Sequence, residues 1–74
     1  MKFGEFRRNC DNACYDLAVY NEVGIKESVS LNLELAADRA AAMKYDGAMI
    51  SRFRASVVER GGETYPLLEV ELYV

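Results

Sequence analysis

The sequence predicts an α+β domain: an antiparallel β-sheet of about four strands with one α-helix packed on one face, in the order ββαββ. Three observations carry this. Gly61-Gly62 separates two stretches in which apolar and charged residues alternate, as in a two-residue hairpin. Ahead of them, "NLELAADRAAAMKYDG" has helical spacing and five alanines. Ahead of that run, Tyr15, Leu17 and Val19, then Val29, Leu31 and Leu33, alternate with polar neighbours.

In chain order, residues 1 to 9 hold Phe3 and Phe6 and are expected to add a further short strand. The segment "YDLAVYNEVGIKESVSLNL" reads as a hairpin looped around Asn21 to Gly24, because Tyr, Val and Ile suit strands. A short helix from Asn12 to Val23, stopped by Gly24, is the rival reading. In the helix that follows, Leu33, Ala36, Ala37, Ala40 and either Met43 or Lys44 form the expected buried stripe. Asn32 is the expected cap and Gly47 the left-handed stop.

The last hairpin is the most constrained. A turn at Gly61-Gly62 pairs Phe53 with Val70, Ala55 with Leu68 and Ser51 with Leu72 on an apolar face. The same register pairs Arg54 with Glu69, Arg52 with Glu71 and Arg60 with Glu63. A slip by one residue would destroy both faces. Pro66 then opposes Val57 at a non-hydrogen-bonded position, so it withholds nothing from that partner. It does forbid a further neighbour there, which makes the last strand an edge at that point. In this plan the apolar positions of all four strands point at the helix.

Seventy-four residues, 51% hydrophobic and 28% charged, make a single domain (residues 1–74) near the lower size limit for folding without staples. No apolar run approaches the roughly 20 residues of a membrane helix. "MKFGEFRRNC" lacks the apolar core of a signal peptide, so a cytoplasmic protein is expected. Net charge is −3, which leans against general nucleic-acid binding and falls short of a phosphate-mimicking surface.

The chain has no histidine, which removes the commonest general base and metal ligand. No nucleophile elbow, P-loop or dinucleotide fingerprint occurs, and no cofactor is expected. Asp11, Asp16, Glu22 and Glu27 are the acids that a catalytic pair would need, but nothing in the sequence fixes a substrate beside them. Cys10 and Cys14 at C-x-x-x-C spacing would need two carboxylates to complete a zinc site, and neither has an evident base for nucleophilic work. Two reduced, partly buried thiols are the plain reading. A non-catalytic protein without a metal is expected.

The uncovered sheet face would carry Asp16 and Tyr20, Arg52 and Arg54, and Glu69, Glu71 and Tyr73. As exposed ion pairs these charges stabilise weakly but specify register well. Tyrosine and arginine are also enriched where proteins bind one another, which makes these seven the candidate partner-binding residues. "SLNLELAADRAAAMKYDGAMISRF", about a third of the chain, resembles the helix-to-strand passages of small phage-encoded anti-CRISPR proteins that inhibit type I systems. The resemblance implies a stoichiometric inhibitor that docks on an effector subunit in the host cytoplasm, with acidic and tyrosine side chains meeting a lysine-rich channel. It transfers no binding residue, because nothing aligns position by position. A self-associating module, a homodimer joined through exposed edge strands, is the alternative. Nucleic-acid binding ranks third, since it needs Arg7, Arg8, Arg52, Arg54 and Arg60 on one face without their glutamates.

Overall fold

A computed structural model describes residues 1–10 and 13–74. Its elements are α1 (Phe3–Asn9), β1 (Cys14–Tyr20), β2 (Lys26–Asn32), α2 (Ala36–Met43), β3 (Met49–Arg60) and β4 (Glu63–Tyr73). The α+β class and the four strands of the expected plan are present. The single-helix ββαββ order is met only in part, because α1 precedes it. Phe3 and Phe6 do not extend the sheet: Phe3 is fully buried and both rings meet Tyr15 edge-on, at 5.5 and 6.4 Å. Spacing of three suits a helical face, and two aromatic anchors hold this short helix against the core. Only Lys2 keeps strand character, as a bridge to Met49.

The strands lie in the order β2-β1-β4-β3. Both hairpins are antiparallel, as expected, but β1 and β4 pair in parallel, so the sheet is mixed. The connection explains this. α2 carries the chain back to the end of the sheet where β2 began, so β3 runs in the direction of β2. Each hairpin reverses once, and the inner strands therefore share a direction. The β1–β2 hairpin holds over Cys14–Tyr20 and displaces the rival helix over its described part; Asn12, like Asp11, lies outside the described residues. At its turn the Asn21 side chain accepts the N–H groups of Val23 and Ile25, and Gly24 supplies φ +80°.

The β3–β4 register is as expected from Arg52–Glu71 to Arg60–Glu63, with φ +58° and +82° at Gly61 and Gly62. One pair is corrected: Ile50, not Ser51, opposes Leu72, because the register shifts between Ile50 and Arg52 and leaves Ser51 in the irregularity. Pro66 acts as expected. Pairing with β1 begins at Leu67, immediately after it, so residues 63 to 66 pair with β3 alone. The distal hairpin thus extends as a two-stranded arm, and the molecule is 40 Å long and 19 Å across.

The core fills one side of the sheet, with Tyr15, Leu17 and Val19, Leu31, and Leu68, Val70 and Leu72 facing Phe3, Ala42 and Tyr45. Of the apolar positions of β3 only Ile50, near its start, packs against this core; Ala55 is exposed, and Phe53 and Val57 are 57% and 68% exposed. α2 packs toward β2 at the opposite edge, and α1 meets β3 where the Phe6 and Phe53 rings lie 5.0 Å apart.

The phase of α2 is also corrected. Ala36, Ala37, Ala40, Met43 and Lys44 are exposed, while Ala41 and Ala42 face inward and buried Tyr45 follows the helix. Alanine on every side makes the stripe ambiguous, and the large Tyr45 ring decides it. Leu35, not Asn32, stands at the cap. Asn32 ends β2 and its backbone N–H donates to Asp38 at 2.8 Å. Gly47 does not adopt positive φ; α2 closes through turns in which Tyr45 and Asp46 donate to Ala42 and Met43.

Candidate interaction face of the sheet

Strand alternation turns Asp16, Ala18 and Tyr20 away from the helices, and pairing aligns them with neighbours in three rows. The first row runs Ser30, Asp16, Glu69, Arg54 from edge to edge. The second runs Ser28, Ala18, Glu71, Arg52, and the third Lys26, Tyr20, Tyr73, Met49. All seven expected residues share this helix-free face. Sequence reasoning missed Lys26, Ser28, Ser30 and Ala18, although the β1–β2 hairpin, once accepted, places them there by alternation.

The first row sets two carboxylates side by side, which is unfavourable on neighbouring strands. Each is answered by its outer neighbour. Ser30 Oγ donates to Asp16 Oδ1 at 2.8 Å, and Arg54 Nε donates to Glu69 Oε2 at 2.7 Å. In the second row Arg52 Nε donates to Glu71, and this hydrogen bond, with the carboxylate's charge, holds the guanidinium above its ordinary pKa. Small Ala18 and Ser28 lie between the longer side chains, and the face forms an open concavity of about 740 Å³. In the third row the Tyr20 and Tyr73 rings stack at 5.2 Å, tilted by 19°.

Charge is balanced: Asp16, Glu69 and Glu71 against Lys26, Arg52 and Arg54. Depth is not. The side chains of Arg52 and Arg54 are 81% and 76% exposed, whereas those of Glu71 and Glu69 are 23% and 37% exposed. An approaching molecule meets guanidinium groups and the edge of Tyr73 first. The glutamates beneath orient those guanidiniums and cancel their net field.

The other arginine with a described ion-pair partner is Arg7, on the helix side. Its Nε and Nη2 donate to Asp46 Oδ1 and Oδ2 at 2.6 and 2.7 Å. This two-pronged bond holds the Asp46 carboxyl below the usual carboxylate range against the opposing effect of burial. Arg7 is therefore separated by the sheet from Arg52 and Arg54, and these three do not share one surface. Cys10 is half-buried, Cys14 is buried and both are free. Among the described residues no cluster of three or more metal-ligating side chains occurs, and no helix is long and apolar enough to cross a membrane. No protein family, curated protein or solved structure matches the chain.

Proposed function

We propose that this chain is a non-catalytic protein-binding module whose docking surface is the helix-free sheet face. The observation that carries the proposal is the gathering of Arg52 and Arg54 on one uncovered concave surface, with the stacked Tyr20–Tyr73 pair in the adjoining row of the same face. Arginine and tyrosine supply large contact areas with directional donors, the combination that dominates protein interfaces. Preset ion pairs also lower the entropy cost of ordering the arginines on binding. The two free thiols suit a reducing compartment, and we place the protein in the cytoplasm.

For the partner, we propose a subunit of a nucleic-acid-handling effector, which the protein would inhibit as the sequence resemblance implies. The balanced face favours docking by shape and paired charge over imitation of phosphate. With guanidiniums outermost, the complementary surface carries carboxylates and aromatic rings.

The test is binding to a purified type I effector complex, with DNA cleavage as a second readout. The parent chain is expected to bind and inhibit. The triple variant Arg52→Ala, Arg54→Ala, Tyr73→Ala should lose at least about tenfold in affinity while its melting temperature barely moves. A parent chain that neither binds nor inhibits removes the partner class, and a triple variant that binds like the parent removes the face. The bare outer edge of β3 favours a second, compatible reading: self-association.

A further inference from the structure

We infer that two copies of this chain join through the outer edge of β3, antiparallel about a two-fold axis at Ala55, to form a continuous eight-stranded sheet. The inference concerns a different surface from the docking face and stands whether or not that face has a partner.

The hydrogen-bonding pattern comes first. Arg60 and Glu63 close a two-residue turn and form a hydrogen-bonded pair. By alternation Val58, Ser56, Arg54 and Arg52 direct their backbone groups at β4. Phe53, Ala55, Val57 and Glu59 direct theirs outward, where no further strand pairs among the described residues. At the near end this edge is already closed: Lys2 bridges Met49, and Ile50 donates to the Met1 carbonyl. The open edge therefore runs from the Ser51 irregularity to the turn.

Side chains follow the same parity. The outward-bonding residues Phe53, Ala55 and Val57 are the exposed apolar stripe on the helix side. Between Phe53 and Val57 the edge carries no proline and no lysine, and its one charge, Arg54, lies on the other face, held by Glu69.

The occupant is identified by self-complementarity. "FRASV", residues 53 to 57, is nearly palindromic in character about Ala55. Pairing with a second copy centred there sets Phe53 against Val57 of the second copy, Ala55 against itself, and Arg54 against Ser56. Three outward-bonding pairs then exchange six backbone hydrogen bonds, and no like charges stand directly opposite. Neighbouring registers fail on charge. Centring on Arg54 opposes that residue to itself, and centring on Ser56 opposes Arg52 to Arg60 and Phe53 to Glu59. In the favoured register the closed end of one edge lies beside the turn of the other, so the open lengths match. The product carries two docking faces on the same side of one sheet.

Sedimentation equilibrium across the micromolar range is expected to show a dimer. Val57→Lys, at an exposed position, should raise the dissociation constant roughly tenfold or more without lowering the melting temperature of the monomer. Ala55→Pro should act alike, since the N–H it removes serves only the outer edge. For the register, Ala55→Cys under mild oxidation should give a disulfide between the two introduced thiols, located by mass spectrometry. In the proposed pairing their Cα atoms lie about 5.5 Å apart. Val57→Cys should not link to its copy, the separation being roughly 14 Å. A monomer throughout the range, or a dimer indifferent to Val57→Lys, overturns the interface; a dimer linked through Val57→Cys but not Ala55→Cys overturns the register.

Discussion

β3 and β4 are paired along one continuous register, yet their apolar residues fare oppositely. Leu68 and Val70 of β4 are buried, while their cross-strand neighbours Ala55 and Phe53 on β3 are exposed. The difference is position in the sheet. From Leu67 onward β4 has a strand on both sides and helices above, whereas β3 beyond Ser51 is paired, among the described residues, with β4 on one side, and the Phe6 ring meets it overhead. Hydrogen-bonded pairing fixes which face a side chain occupies; coverage by a second layer decides whether that face is dry.

The sharpest attempt to break this contrast is truncation on each strand. Leu72→Ala removes a fully buried side chain and is expected to cost about 2–5 kcal/mol, a large part of the stability of so small a domain. Phe53→Ala, though it deletes a larger group, should cost below about 1.5 kcal/mol in the monomer, because the ring is already 57% exposed and gives up little beyond its contact with Phe6. Thermal and urea unfolding at concentrations below dimer formation measure both. Equal losses would show that β3 is covered after all.

Substitution at the arm's turn should have the next largest effect. Gly62 sits at φ +82°, where a Cβ costs about 1–2 kcal/mol by local sterics, although nothing else lies near enough to clash. Gly62→Ala should therefore fray the arm, with loss of amide protection at Val58, Arg60, Glu63 and Tyr65, while protection in β1 stays unchanged. A two-stranded ribbon is marginal alone, so spread of the damage into β1 would mean that arm and body unfold as one unit.

These contrasts also mark what could be read from residues alone. Arg52, Arg54, Glu69 and Glu71 announced their register because unlike charges and apolar residues demanded the same alignment. Pro66 announced that no further strand could pair with β4 at that point, and alternation brought all seven candidate residues to one face. Other features were not legible. Phe3 and Phe6 fit a strand or a helical turn until Tyr15 is seen between them. The alanines of α2 look alike from every side. The parallel seam depends on where α2 delivers the chain, and the exposure of Phe53 on which edge the helices cover. Local patterns name faces; topology assigns the cover.

What cover β3 has depends on α1, pinned by Arg7 to Asp46 on the loop that leads into β3. Folding lowers the Asp46 pKa, so the stability gained is present above the ordinary carboxylate range, near 4, and is lost as pH falls through the folded value. Asp46→Asn should be less stable than the parent at neutral pH, and the gap should close in acid. A gap independent of pH would assign the contribution of Asp46 to packing against Gly4 instead of charge.

The smallest expected effect on stability is at the Arg54–Glu69 pair, and it separates the roles of the two faces. Its ends lie 2.5 Å apart but the guanidinium is 76% exposed, so water and salt screen most of the attraction. Exchange of the two residues, Arg54→Glu with Glu69→Arg, keeps the pair and should change the unfolding free energy by less than about 1 kcal/mol. On the proposed docking face the same exchange moves the exposed positive charge from β3 to β4, beside Asp16, and should weaken partner binding although the summed charge is unchanged. Stability retained with affinity lost would show that the row is arranged for recognition; retention of both would leave it as a device that sets register.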